Sequence, residues 1–400
     1  SMEYRFADQI VRLNPSAIRE ILKYSADPEV IPLAAGNPAP EAFPVDAIRE
    51  ISSRVLAGRA IDALQYSTTE GYSPLRNRLK AYMKEKHGVG RDFDELLVTS
   101  GAQQALELLA KALVNPGDVV LCEAPSFVGA LNASRSVGAR LVGVPLQSDG
   151  IDVEALEAAM KANPNAKFLY TIPNFQNPAG ITMSMDKRRR VYALAREYGI
   201  LVAEDNPYGD LRYSGKDLPS IKSLDEEGVV MYTGTFSKVI SPGLRVGYAI
   251  APKTLLQKMI VCKQGEDVHT NIWSQILCDE FMASYDYEAH LEGLRALYRV
   301  KAEKALSLIE QHLVPAGITY DKVEGGLFIW CHLPEGVDMP AFCTLAVKEH
   351  KVAVVPGNAF MPYETDPCQS FRINFSTPSD EALERGLKKL GEFAREYLKR

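Results

Sequence analysis

Short, nearly apolar runs recur between helix-length amphipathic stretches from about residue 50 to 285, and this alternation restricts the fold more than any other feature of the chain. Val119-Val120-Leu121-Cys122, Phe168-Leu169-Tyr170-Thr171, Ile200-Leu201-Val202-Ala203 and Val229-Val230-Met231-Tyr232 read as strands buried on both faces. Such strands, joined by helical crossovers, make a mostly parallel sheet sandwiched by helices, so the predicted class is α/β. A helical pattern over about 286–313 then leads into Gly326-Leu327-Phe328-Ile329-Trp330, a further strand, and mixed helix and strand follow to the end. We therefore expect a large domain over 50–285 and a smaller α/β domain made from 286–400 together with the N-terminal segment 1–49. That segment contains an amphipathic helix over Ser16–Tyr24 and a loop at Leu33-Ala34-Ala35-Gly36-Asn37-Pro38-Ala39-Pro40.

Composition removes several classes of function. A net charge of −6 disfavours a nucleic-acid partner, and the one tight basic cluster, Lys187-Arg188-Arg189-Arg190, reads as the solvated start of a helix. The cysteines at 122, 262, 278, 331, 343 and 368 form no C-x-x-C pair, and the six histidines show no metal-ligand spacing. We expect reduced thiols, no metal site and a cytoplasmic location. No apolar run approaches the roughly 18 residues of a membrane span, and no apolar signal core follows Met2, read as the start residue after Ser1.

In open α/β sheets the ligand sits beyond the carboxyl ends of the strands, so the residues just after each apolar run carry the functional argument. Lys238 follows the run ending at Tyr232, inside Gly234-Thr235-Phe236-Ser237-Lys238-Val239-Ile240-Ser241-Pro242-Gly243-Leu244-Arg245. A lysine among small hydroxyl residues, with an arginine seven positions on, suits a Schiff-base nucleophile beside a phosphate anchor. Asp205 and Tyr208 follow Ala203; the turn Pro173-Asn174-Phe175-Gln176-Asn177-Pro178-Ala179-Gly180 follows Thr171. After Leu96-Leu97-Val98-Thr99 comes Ser100-Gly101-Ala102-Gln103, where Ser100 and Gln103 match a capping box and the glycine and alanine leave the first amides open to a phosphate. Neither G-x-G-x-x-G nor a Walker loop is present there.

Taken in order, these residues resemble the pyridoxal-phosphate enzymes of the aspartate aminotransferase fold, class I/II, from about Ser16 to Arg372. The S-x-S-K-x-x-x-P-G-x-R pattern is met except that Thr235 stands at its first hydroxyl. The resemblance implies pyridoxal 5'-phosphate as cofactor, with Lys238 as its covalent attachment point and proton carrier. It implies that Asp205 pairs with the ring nitrogen, that Tyr208 and Asn177 hydrogen-bond the ring oxygen, and that Phe127 stacks on the ring. Thr235, Ser237, Arg245, Ser100 and the Gly101, Ala102 and Gln103 amides are implied to hold the phosphate, Arg372 the substrate α-carboxylate. Tyr66 matches a tyrosine that reaches the neighbouring subunit's phosphate, which implies a homodimer.

The closest resemblance is to the 2-aminoadipate and kynurenine aminotransferase II branch. It places Arg19 and the loop at Gly36 beside the substrate side chain and implies transfer of the amino group from 2-aminoadipate, glutamate, leucine or an aromatic amino acid to a 2-oxo acid. Two other readings share these residues. A C–S lyase would use the same cofactor, and a MocR-type ligand sensor would need a winged-helix segment for which residues 1–49 leave no room.

Overall fold

Eight strands form the larger sheet of the computed structural model, which describes residues 1–13 and 17–399. They are β1 (Asp94–Thr99), β2 (Val119–Ala124), β3 (Arg140–Gln147), β4 (Gly150–Ile151), β5 (Ala166–Thr171), β6 (Leu201–Asp205), β7 (Val230–Thr235) and β8 (Gly247–Pro252). Their spatial order is β1-β8-β7-β6-β5-β2-β3-β4. The neighbours β7, β6, β5, β2 and β3 run parallel, while β8 is antiparallel to both β7 and β1 and β4 folds back on β3. Parallel pairing is thus confined to the interior, where the four apolar runs lie.

Alternate residues of one strand enter different cores, as a two-residue period requires. Val120 and Cys122 of β2 pack with Phe168, Ala203 and Met231 under the helices Gly101–Leu113 and Lys253–Glu266. Val119 and Leu121 pack with Leu169, Val202 and Val230 against the helices Val153–Ala162 and Met185–Tyr198. The helices over the second face are punctuated locally. Asp152 accepts from the Ala155 amide and Ser184 from the Lys187 amide, and Gly199 takes the left-handed conformation that ends Met185–Tyr198.

A second, antiparallel sheet consists of β9 (Thr319–Tyr320), β10 (Phe328–His332), β11 (Val355–Pro356) and β12 (Ser370–Asn374), in the order β9-β10-β12-β11. Ile31–Pro32 pairs in parallel with Val352–Ala353, and the Asn374 amide donates to Leu33 O. These bonds tie the N-terminal segment to the C-terminal part of the chain and carry Ala34 to Asn37 across the end of the larger sheet.

Two local expectations need correction. The helix expected over Ser16–Tyr24 spans Ala17–Lys23 and continues as a 3-10 turn over Tyr24–Ala26, and Ser16 lies outside the described residues. The basic cluster is only half solvated: Arg189 and Arg190 are exposed, whereas Lys187 is buried and Arg188 fully so. Arg188 shares the inward face with Val191 and Ala195, and its guanidinium donates to Met183 O, Pro173 O, Pro219 O and Asn174 Oδ1. Those carbonyls belong to irregular chain outside the helices and strands, where a buried five-donor fork adds bonds that secondary structure does not supply.

Candidate active site

Strand register brings the site together. Thr99 pairs with Gly247, Gly247 with Thr235, and Thr233 with Asp205, so the ends of β1, β7 and β6 fall on one edge of the sheet. The chain also reverses its direction of winding between β2 and β5, the position where open α/β sheets form a crevice.

At the end of β6, Asp205 is 3% exposed. Its Oδ2 accepts from Tyr170 Oη at 2.6 Å, whereas Oδ1 is buried without a partner. Burial pushes this carboxyl up to about 6, opposed by the Tyr170 bond and by Lys238. Beyond β7, the Ser237 amide donates to Thr235 Oγ1 at 3.0 Å, and the two hydroxyls lie 2.9 Å apart. Lys238 Nζ then reaches Gly36 O at 3.2 Å and stands 5.7 Å from the centroid of the Tyr208 ring. Burial, reinforced by Arg372 and Arg245, pushes its amine down to about 8.

Arg372 lies on β12, and only 4% of it is exposed. Nη1 donates to Asn177 Oδ1 at 2.8 Å and Nη2 to Ala34 O at 3.0 Å, while Nε has no partner. The guanidinium carbon sits 4.0 Å from the Phe328 ring centroid and 4.9 Å from that of Phe360. Burial pushes this arginine down to about 10. Asn177 also hydrogen-bonds the Tyr208 phenol, which burial holds well above its ordinary range. Tyr208 packs edge-on against Phe328 at 5.7 Å.

Arg245 is exposed and in a left-handed conformation (φ 55°). A Cβ on Gly101, whose φ is 79°, would stand 2.5 Å from an Arg245 guanidinium nitrogen, and one on Gly247 2.8 Å from the Ala102 amide nitrogen. Close approach at these two glycines therefore brings the start of the helix Gly101–Leu113, the start of β8 and the Arg245 guanidinium together. The first turn of the helix Gly101–Leu113 has no side-chain cap, leaving its positive end for an anion.

The capping box expected from Ser100 and Gln103 does not form. Gln104, not Gln103, reaches back to the Ser100 amide at 2.8 Å, and Ser100 Oγ turns to Asp267 Oδ2 at 2.7 Å and Thr270 Oγ1 at 3.0 Å. The cause is Lys263, a fully buried cation whose Nζ draws in Gln104, Asp267 and Thr270. Gln103 instead donates to Gly129 O at 2.8 Å, beside Phe127, which is half-buried at the start of the helix Val128–Ser136.

Tyr66 and Arg19 stand apart from this cluster. Tyr66 is 81% exposed, its ring meeting His269 edge-on at 6.1 Å. Arg19 is exposed on the helix Ala17–Lys23, whose Ile18 and Ile21 pack toward Trp330 and Phe360.

Other residues of the site escaped the sequence reading. Glu123, at the end of β2, is buried and accepts from Thr171 Oγ1, the Ile172 amide and Gln176 Nε2, which also bonds Pro125 O. Burial pushes its carboxyl up to about 7. It ties the segment before Phe127 to the turn bearing Asn177. An acid directly following Val119-Val120-Leu121-Cys122 was a usable signal. Tyr170, inside an apolar run, carried none.

The parallel-centred sheet, with the half-buried Lys238 and the buried Asp205 and Arg372 gathered at the ends of its strands, has the architecture of the aspartate aminotransferase fold. The chain belongs to the aminotransferase class I and II family, whose model matches residues 28–390. It is 39% identical to aromatic-amino-acid aminotransferase 1 of Thermococcus litoralis over 402 residues, covering all of this chain and 96% of that one. It is also 39% identical to 2-aminoadipate transaminase of Thermus thermophilus, covering 95% and 94% of the two chains. Among solved structures, the α-aminoadipate aminotransferase LysN of Thermus thermophilus, complexed with N-(5'-phosphopyridoxyl)-L-leucine, superposes with a TM-score of 0.89 at 36% identity, covering 98% of each chain.

Proposed function

We propose that Lys238, Asp205, Tyr208, Asn177, Arg245 and Arg372 form the centre at which this aminotransferase moves an amino group between an L-amino acid and a 2-oxo acid with pyridoxal 5'-phosphate. The observation that carries this reading is the buried, partnerless Oδ1 of Asp205. A carboxylate oxygen so placed is costly unless a cationic or N–H donor arrives, and the cofactor's protonated ring nitrogen is such a donor. The rest of the set fits the same molecule: an amine for its aldehyde, a phenol and an amide for its ring oxygen, and Thr235, Ser237, Arg245 and the Gly101, Ala102 and Gln103 amides for its phosphate. Ser100 contributes through its place at the helix start, its hydroxyl being engaged by Asp267. When bound, the cofactor supplies an electron sink for the pair left when a Cα–H bond breaks.

The chain's own groups do the remainder. Arg372 offers a planar fork to the α-carboxylate and so fixes which substrate bond faces Lys238. With its amine down at about 8, Lys238 is neutral in about one molecule in ten at pH 7, enough to act as nucleophile and then as carrier of the Cα proton. Tyr208 stays protonated and donates. Phe127, half-buried at the start of the helix Val128–Ser136, would offer its ring face to the bound cofactor. Both half-reactions use one site, so kinetics are ping-pong.

Arg19 and Gly36 define the side-chain end of the pocket, with 2-aminoadipate, glutamate, leucine and aromatic amino acids as substrates. The helix bearing Arg19 packs on residues next to Arg372's aromatic clamp, which supports this placement. The active unit is a homodimer in which Tyr66 completes the partner's phosphate site. Its exposure, together with that of Ile61 and Leu64 on the preceding helix, supports a surface covered by a second copy. Residues 50–285 form the large cofactor-binding domain, and 1–49 with 286–400 the small one. No described helix is long and apolar enough to cross a membrane, and six free cysteines accord with a cytoplasmic location.

The test is spectroscopic. Purified protein should show the absorbance band of lysine-bound cofactor, lost in Lys238→Ala, and should convert to the aminated form with glutamate or 2-aminoadipate while releasing the 2-oxo acid. Absence of any spectral change with every amino acid, or release of free ammonia from glutamate in place of amino-group transfer, would overturn the reading. Arg19→Ala should impair acidic substrates more than leucine; equal losses would remove Arg19 from the pocket.

A further inference from the structure

Asp205 is held from behind by a residue of the sheet's core, Tyr170. Tyr170 lies on β5 directly opposite Ala203 of β6, and the two side chains project from the same face. Ala203 presents only a methyl group, so the phenol extends past it along the strand to Asp205, two residues further on. Its Oη donates to Oδ2 at 2.6 Å, and Tyr170 is 1% exposed. The bond uses one carboxylate oxygen and leaves the other, Oδ1, as the partnerless atom.

We infer that Tyr170 is a positioning residue for amino-group transfer: its phenol holds Asp205 ionised and oriented so that Oδ1 alone serves the cofactor's ring nitrogen. This rests on the reading of Asp205 given above. The titratable groups around the pair are few. Lys238 is the cation that acts on Asp205, while Glu123 and Tyr208 act on the Tyr170 phenol. The Tyr170 phenol is pushed well above its ordinary range by burial and by Asp205, so it remains a donor at all working pH values. Without that donor, burial would raise the Asp205 carboxyl further. A carboxyl that retains its own proton leaves a ring nitrogen unprotonated.

Tyr170→Phe removes the hydroxyl and keeps the ring in the core. The wild type, this variant and Asp205→Asn should each be loaded with cofactor labelled with nitrogen-15 in the ring and followed by NMR. In Tyr170→Phe the ring-nitrogen signal should move from the pyridinium toward the neutral pyridine position. The value of kcat should fall about tenfold with KM nearly unchanged, the worth of one hydrogen bond to a charged group. A wild-type signal in Tyr170→Phe, with the signal displaced in Asp205→Asn, would overturn the role of Tyr170 alone. A wild-type signal in both would overturn the assignment of Asp205, and this inference with it. A fluorinated tyrosine at position 170, a stronger donor in the same shape, should sharpen the pyridinium signature; movement in the opposite direction would count against the proposal even if the phenylalanine variant failed to fold.

Discussion

Replacing Arg372 by lysine separates recognition of the substrate from support of the site. The guanidinium makes hydrogen bonds of 2.8 Å to Asn177 and 3.0 Å to Ala34 and lies between the Phe328 and Phe360 rings, so its plane is set before any substrate arrives. Lysine keeps the charge and loses the fork. A carboxylate bound by two parallel N–H···O bonds would keep one at most, a loss of about 1.5–3 kcal/mol, which corresponds to about 10- to 150-fold in kcat/KM. The assay is the first half-reaction, followed by absorbance, with leucine and with 3-methylbutylamine, the same side chain without the carboxylate. For Arg372→Lys the leucine reaction should slow by that factor, and the amine reaction by less than about threefold. Equal losses for both would refute the argument, because they would show that Arg372 acts through Asn177 and the framework.

Three further outcomes are expected. The amine of Lys238, down at about 8, is protonated below that value and neutral above it. Cofactor loading onto apo protein should therefore accelerate about tenfold per pH unit up to about 8 and then level off, whereas an ordinary lysine would still be climbing at about pH 9. By the same shift, between about 8 and an ordinary lysine's 10.5 the unfolded chain binds more protons than the folded one, so apo stability from this group rises with pH across that window. Gly101→Ala adds a Cβ 2.5 Å from an Arg245 nitrogen at a φ of 79°; equilibrium dialysis should show cofactor affinity weakened by about tenfold or more, a cost of about 1–2 kcal/mol, and unchanged affinity would exclude the glycine from the phosphate site. Finally, mixing inactive Lys238→Ala chains with Tyr66→Phe chains should restore activity above that of either alone, since one site of each hybrid then has both residues intact. No restoration would place Tyr66 outside the partner's site.

The strands were legible where both faces are buried. The apolar runs that became β2, β5, β6 and β7 needed no partner information to be seen, because their apolar residues meet cores on both faces. The antiparallel neighbours β1 and β8 were not distinguishable from parallel ones, since direction depends on how the chain returns and leaves no mark on strand composition. Arg188 shows the opposite limit. Four consecutive basic residues suggest solvent, yet helix phase turns two of them inward, and loop carbonyls receive the deeper one, Arg188. The capping box failed for a similar reason: Ser100 and Gln103 have the right spacing, but buried Lys263, distant in sequence, reorganises Gln104, Asp267 and Thr270 around itself.

The sequence alone determined which chemistry follows each strand: a lysine among hydroxyls, an acid and a phenol, a rigid amide-bearing turn, and an open helix start. These are local relations, carried by spacing along the chain. Tertiary structure decided the protonation states and the geometry. Lys238 is brought down to about 8 because folding buries it beside Arg372 and Arg245, and Asp205 is raised to about 6 by burial against the Tyr170 bond that restrains it. Desolvation and charge proximity arise only when segments far apart in the chain meet, so spacing does not encode them.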